Sequence, residues 1–145
     1  MDEEGAGVAG HRFRASSASL GRIRRFTQQT LARWGRRHCA DEVTMVVGEL
    51  VANAVRHALA PHPDRHGWLG LMNTTKTVVC AVQDPSPDKP LPRTATPHDT
   101  RGRGLLIISE LAHDWGYSLH SNTGKTVWAV VPTTLAPCTA WAGTS

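Results

Sequence analysis

The sequence lacks several features, and each absence narrows what the chain can be. It has no CxxC pair and only three cysteines, Cys39, Cys80 and Cys138, an odd and widely spaced set. That pattern fits buried or free thiols in a reducing compartment better than a disulfide framework. The start, Met1-Asp2-Glu3-Glu4, has neither the basic residues nor the apolar core of a secretory signal. The longest apolar runs, around Val78–Val82 and Leu105–Ile108, are far too short to span a bilayer. The expectation is a soluble, cytoplasmic protein with no membrane partner. No internal repeat is apparent.

What is present is ordinary for a globular domain. The 145 residues are 40% hydrophobic and 19% charged, enough to bury a core without disulfide or metal staples. The net charge of +4 is unevenly placed, because Arg12, Arg14, Arg22, Arg24, Arg25, Arg33, Arg36 and Arg37 crowd the first quarter. Such a patch suits phosphates or an acidic protein surface, and equally a solvated helix face. It lacks aromatic interleaving and any helix-turn-helix pattern, so no direct nucleic-acid partner is expected.

Residues 1–17, rich in Gly, Ala, Ser and charge without a sustained period, read as a mobile tail. Apolar residues at Leu20, Ile23, Phe26, Leu31 and Trp34 predict a helix from Ser19 to about Arg37. A second helix is expected from Asp41, as N-cap, to about Leu59, apolar over most of its circumference and therefore a core helix. Trp68–Met72 and Thr77–Val82 read as a hairpin turning at Asn73–Lys76. Residues 85–101 form a long loop holding Pro85, Pro87, Pro90, Pro92 and Pro97, of a length that is usually functional or disordered. A third helix over Gly104–His113 and a closing hairpin, Trp115–His120 and Lys125–Val131, complete a domain over residues 18–133. Residues 134–145 read as a second tail. This order predicts an α+β fold, a two-layer sandwich with helices on one face of a mixed, mostly antiparallel sheet.

Chemistry concentrates at three places. Glu49, Asn53 and His57 are four apart and line one stripe of the otherwise apolar second helix. A carboxylate and an amide buried there without partners cost about 1–3 kcal/mol each. A Mg²⁺ ion with its waters, brought in by a nucleotide, supplies such partners, and Glu49 can act as a general base. The stripe reads equally as the solvent-facing seam of an amphipathic helix. Arg101-Gly102-Arg103-Gly104-Leu105 precedes the third helix, where glycines let the backbone approach phosphates near a helix N-terminus; it also suits a plain flexible lead-in. Asp84, at the end of a strand, can accept a hydrogen bond from an exocyclic amine such as adenine's, or simply cap the loop.

These three elements, in this order, resemble the histidine-kinase-like ATPases of the GHKL superfamily, especially their actinobacterial anti-sigma-factor serine/threonine kinase branch. Glu49 to Ala58 resembles the N box, Asp84 the adenine-contacting aspartate, Gly102 to Leu105 the second glycine box, and Gly124-Lys125-Thr126-Val127-Trp128 the closing strand. The resemblance implies a Bergerat-type ATP-binding fold and ATP with Mg²⁺ as cofactors. It implies Asn53 as the Mg²⁺ ligand, Glu49 as general base towards a serine hydroxyl, and Asp84 with Thr126 near the adenine. The lid, Arg101 to Leu105, then closes over the phosphates. The implied partners are a sigma factor and an anti-sigma-factor antagonist; many relatives dimerise, which leaves a homodimer open. The chain departs from the pattern just after Asp84, where Pro85-Ser86-Pro87-Asp88-Lys89-Pro90 replaces glycines with residues that stiffen the backbone and remove N–H donors. That departure opens an alternative, a nucleotide-dependent interaction module with little or no kinase activity.

Other motifs fall away. Gly124-Lys125-Thr126 is not a P-loop, since Leu119 stands where a glycine is required and strand follows. His57, His62 and His66 have no cysteine or acidic ligand at a supporting spacing. No phospho-acceptor histidine domain is expected, which sets a sensor histidine kinase aside.

Overall fold

The computed structural model describes residues 7–62, 64–86, 108–121 and 124–133. The elements run β1 (Val8–Phe13), α1 (Ser17–Arg33), a 3₁₀ turn (Arg37–Cys39), α2 (Ala40–Ala54), a π turn (Val55–Leu59), β2 (Gly67–Asn73), β3 (Thr77–Asp84), β4 (Asp114–His120) and β5 (Gly124–Pro132). Residues 108–111 are also helical; Ala112 and His113, expected in the same helix, are not, and residues 104–107 lie outside the described residues. The five strands form one sheet in the order β1-β2-β3-β5-β4, with every neighbouring pair antiparallel. The fold is α+β, a two-layer sandwich.

The sheet has one dry face. Leu69 and Leu71 of β2, Val78, Cys80 and Val82 of β3, and Val127, Ala129 and Val131 of β5 alternate inward with period two. They pack against Ile23 and Leu31 of α1 and against Val43, Val46, Val47, Leu50 and Val51 of α2. Between them, α2 packs on β3 and β5, and α1 packs on α2 and β1. The opposite sheet face keeps Trp68 and Met72 exposed, while Tyr117 and Leu119 of the edge strand β4 are exposed on the side of the sheet that carries Val127 and Lys125.

Both helices have identifiable ends. Ser16 caps α1 by accepting the Ser19 N–H at 3.3 Å. The helix stops four residues short of Arg37, because Gly35 sits at φ 72° and closes a Schellman motif. Its two bonds run from Arg36 N–H to Leu31 O at 2.8 Å and from Gly35 N–H to Ala32 O at 3.1 Å. Helix α2 begins one residue before Asp41, which lies with Glu42 in the first turn, where carboxylates favour the helix dipole.

The segment read as a mobile tail contains an edge strand. Residues 8–13 pair with β2 from Val8↔Met72 to Phe13↔Gly67. Only Phe13 of this strand is buried, its ring lying where a Cβ on Gly67 would otherwise stand. With a single buried side chain the strand has almost no hydrophobic period, and backbone pairing holds it.

Candidate nucleotide-binding site

Glu49 and Asn53 lie half-buried on α2, one turn apart. Asn53 Oδ1 accepts a hydrogen bond from Arg56 Nη2 at 2.7 Å. From Val55 onward the helix widens, and Ala60 N–H bonds to Val55 O at 2.7 Å in a π turn, a local form common at functional sites. The wider turn breaks the four-residue register that aligns Glu49 with Asn53. His57 is accordingly exposed rather than continuing their stripe.

Asp84 ends β3 on the dry face and is 3% exposed. Its Oδ1 accepts the Ser86 N–H at 2.8 Å, an Asx turn that starts the proline-rich loop. The same oxygen accepts from Lys125 Nζ at 3.0 Å, a salt bridge between two buried side chains. Lys125 Nζ also reaches Ser86 O at 3.4 Å.

The register explains that meeting. Asp84 stands opposite Lys125 and Gln83 opposite Thr126, so alternation sends Lys125 inward and Thr126 outward. Thr126 Oγ1 bonds instead to His120 Nε2 at 2.8 Å, on the sheet face away from Asp84. The structure therefore brings Asp84 together with Lys125, not with Thr126. Sequence reasoning passed over Lys125, although a signal was there: Val127 and Ala129 face the core, so the odd positions of β5 share Asp84's side. Arg56 was also passed over; its guanidinium is placed one turn past Asn53 by the helix itself.

Gly124 fixes the start of β5. Its φ is 108°, and a Cβ there would run into the carbonyl oxygen of Asp84 and lie 2.7 Å from Pro85 Cα. Only glycine allows the two backbones to approach this closely.

The lid residues Arg101, Gly102, Arg103, Gly104 and Leu105, and the loop from Pro87 onward, lie outside the described residues. No group of three or more His, Cys, Asp or Glu side chains able to hold a metal occurs among the described residues. Mg²⁺ does not need one, since it commonly takes one or two protein oxygens and completes its shell with phosphates and water. The amide oxygen of Asn53 is such a donor, half-buried and held only by an exposed arginine among the described residues.

The early arginines divide. Arg12, Arg14 and Arg22, with His11, Phe13 and His66, line a cleft of about 260 Å³ whose wall, among the described residues, includes no acidic residue. Within it, Arg14 Nε donates to His66 Nε2 at 2.8 Å.

The profile of a family described as the histidine kinase-like ATPase domain matches residues 13–131, spanning β1's last residue to β5. The chain belongs to that family, within the GHKL superfamily, and membership implies ATP as its ligand. A comparison with curated proteins returned no match. No helix among the described residues is long and apolar enough to cross a membrane.

Proposed function

We propose that the chain binds Mg-ATP between α2 and the sheet, and that it phosphorylates a serine of an anti-sigma-factor antagonist in the cytoplasm while sequestering a sigma factor when free. The observation that carries this reading is the half-buried Glu49/Asn53 pair on a core helix that packs over β3, at whose end Asp84 is buried. In this reading Asn53 Oδ1 is released by Arg56 to face Mg²⁺, and Arg56 is left free to pair with phosphate oxygens. Mg²⁺ supplies charge neutralisation at the phosphates. Glu49 takes the proton of the serine hydroxyl as its oxygen bonds to the γ-phosphorus, and the bond to the β–γ bridging oxygen breaks to leave ADP. Asp84 faces the base, and Arg101 to Leu105 close over the phosphates. The acid-free cleft around Arg12, Arg14 and Arg22 suits an acidic partner surface.

The test is calorimetric titration with Mg-ATP, followed by transfer of labelled phosphate to antagonist proteins. Asn53→Ala weakens nucleotide binding, and Glu49→Ala abolishes transfer while leaving binding within about twofold. Unchanged binding in Asn53→Ala contradicts the reading. A second reading, a nucleotide-dependent interaction module without transfer, is favoured by one observation: Asn53 and Asp84 both already hold basic partners, Arg56 and Lys125. It requires that ATP alter partner affinity and that Glu49→Ala leave partner regulation intact.

A further inference from the structure

Selectivity between ligands of similar shape depends on what the wrong ligand leaves behind. A site whose buried polar group is orphaned by the wrong ligand rejects it by factors of about 10⁴–10⁵, whereas a site without such a group discriminates weakly. Asp84 is the group on which such discrimination would rest. Where adenine offers its N6 amine, guanine offers the carbonyl O6, and a bare buried carboxylate accepts from the first and repels the second.

Lys125 changes that balance. Its Nζ lies 3.0 Å from Asp84 Oδ1, with the two side chains only 6% and 2% exposed. Ser86 N–H donates to the same oxygen. The carboxylate's charge is compensated by Lys125 and its Oδ1 is doubly hydrogen-bonded by the protein, so a base without an amine leaves behind a neutralised ion pair rather than a bare buried charge. The ammonium also carries three donors, of which Asp84 and the Ser86 carbonyl take two. A donor thus stands beside the carboxylate, suited to a carbonyl oxygen. The arrangement is fixed by the ladder, since Asp84 and Lys125 are register partners and Gly124 presses β5 against the Asp84 carbonyl.

We propose that Lys125 is the specificity-determining residue of the base site, and that it makes this a purine nucleoside triphosphate site with little preference between ATP and GTP. The proposal rests on the reading above, in which Asp84 faces the base. Affinity is then carried by the phosphate contacts, and the base contributes mainly stacking and shape.

The test titrates the full chain with Mg-ATP and Mg-GTP, wild type beside Lys125→Thr and Lys125→Met. The wild type binds the two with dissociation constants within about threefold, and both variants prefer ATP by about tenfold or more, because Asp84 then needs the amine. The ratio is taken on one sample, so partial unfolding of a variant cancels; should neither variant fold, the wild-type ratio decides. A wild type that prefers ATP more than tenfold overturns the proposal and leaves the ATP-site reading standing. So does a ratio unchanged by both substitutions. A wild type that binds neither nucleotide overturns the reading and the proposal together.

Discussion

Arg36 Nε donates to Asn73 Oδ1 at 2.9 Å, tying the end of α1 to the turn between β2 and β3. The same guanidinium reaches Thr74 O at 2.7 Å, Thr75 O at 3.2 Å and Thr133 Oγ1 at 3.3 Å. An arginine that by charge alone belongs to a surface cluster is a clamp on three segments. Arg36→Ala should lower unfolding free energy by about 2 kcal/mol, and Arg36→Lys should restore less than half, since an ammonium cannot fork across these acceptors. Urea denaturation measures both; a loss under about 0.5 kcal/mol for Arg36→Ala contradicts the clamp.

Gly124→Ala tests the close approach of β5 to Asp84. A non-glycine residue at φ 108° carries about 1–3 kcal/mol of backbone strain, and the added methyl meets Asp84 and Pro85 as well. The melting temperature should fall by about 5 °C or more. An unchanged melting curve would show that the strand start relaxes without cost.

Thr30 is fully buried on α1, and its Oγ1 has no hydrogen-bond partner among the described residues. Thr30→Val replaces a desolvated hydroxyl with a methyl of similar shape and should stabilise the protein by about 1 kcal/mol. Nucleotide affinity should not move. A destabilised variant would reveal a partner for the hydroxyl.

The buried thiols should be inert. Burial pushes the Cys80 thiol from its ordinary 9.0 up to about 12, with Cys39 nearby adding to the shift. Burial also raises Cys39, against an opposing pull from Arg36. A raised acid pKa favours the neutral thiol in the folded state, so this stabilisation is complete below about pH 9 and is lost as pH rises towards 12. In a Cys138→Ser background, iodoacetamide at pH 8 should label neither cysteine until denaturant is added. Rapid labelling of the native protein would contradict the burial.

Strong periods made much of this fold readable in the sequence. β2 to β5 appear within two residues of their expected bounds, because β-branched and apolar residues alternate along them. The core helix was legible from its continuous apolar circumference. Strand β1 was not, since Phe13 alone marks its buried side and the remaining signal is backbone pairing with β2. The π turn after Ala54 leaves no mark in a pattern assumed to repeat every 3.6 residues. In the site, Glu49, Asn53 and Asp84 stood out as polar residues in apolar settings. Lys125 did not, because a lysine near a turn reads as solvated even though it shares the odd positions of β5 with Val127 and Ala129; its pairing with Asp84 follows only once the register with β3 is known. Thr126, read beside it, falls on the other face for the same reason.

The order of the strands has a consequence for how the molecule assembles. β2–β3 and β4–β5 are hairpins between consecutive strands, whereas β3 meets β5 across a long stretch of chain, Asp84 and Lys125 being 41 positions apart. Hairpins with short turns close quickly, while distant pairings must first overcome the entropy of a large loop. The seam joining the two hairpins therefore closes late. A chain can possess both helices and both hairpins, with nearly native circular dichroism, and still have no seam. A ligand that needs Asp84 and Lys125 together binds only molecules whose seam has closed, so its capture during refolding times that closure.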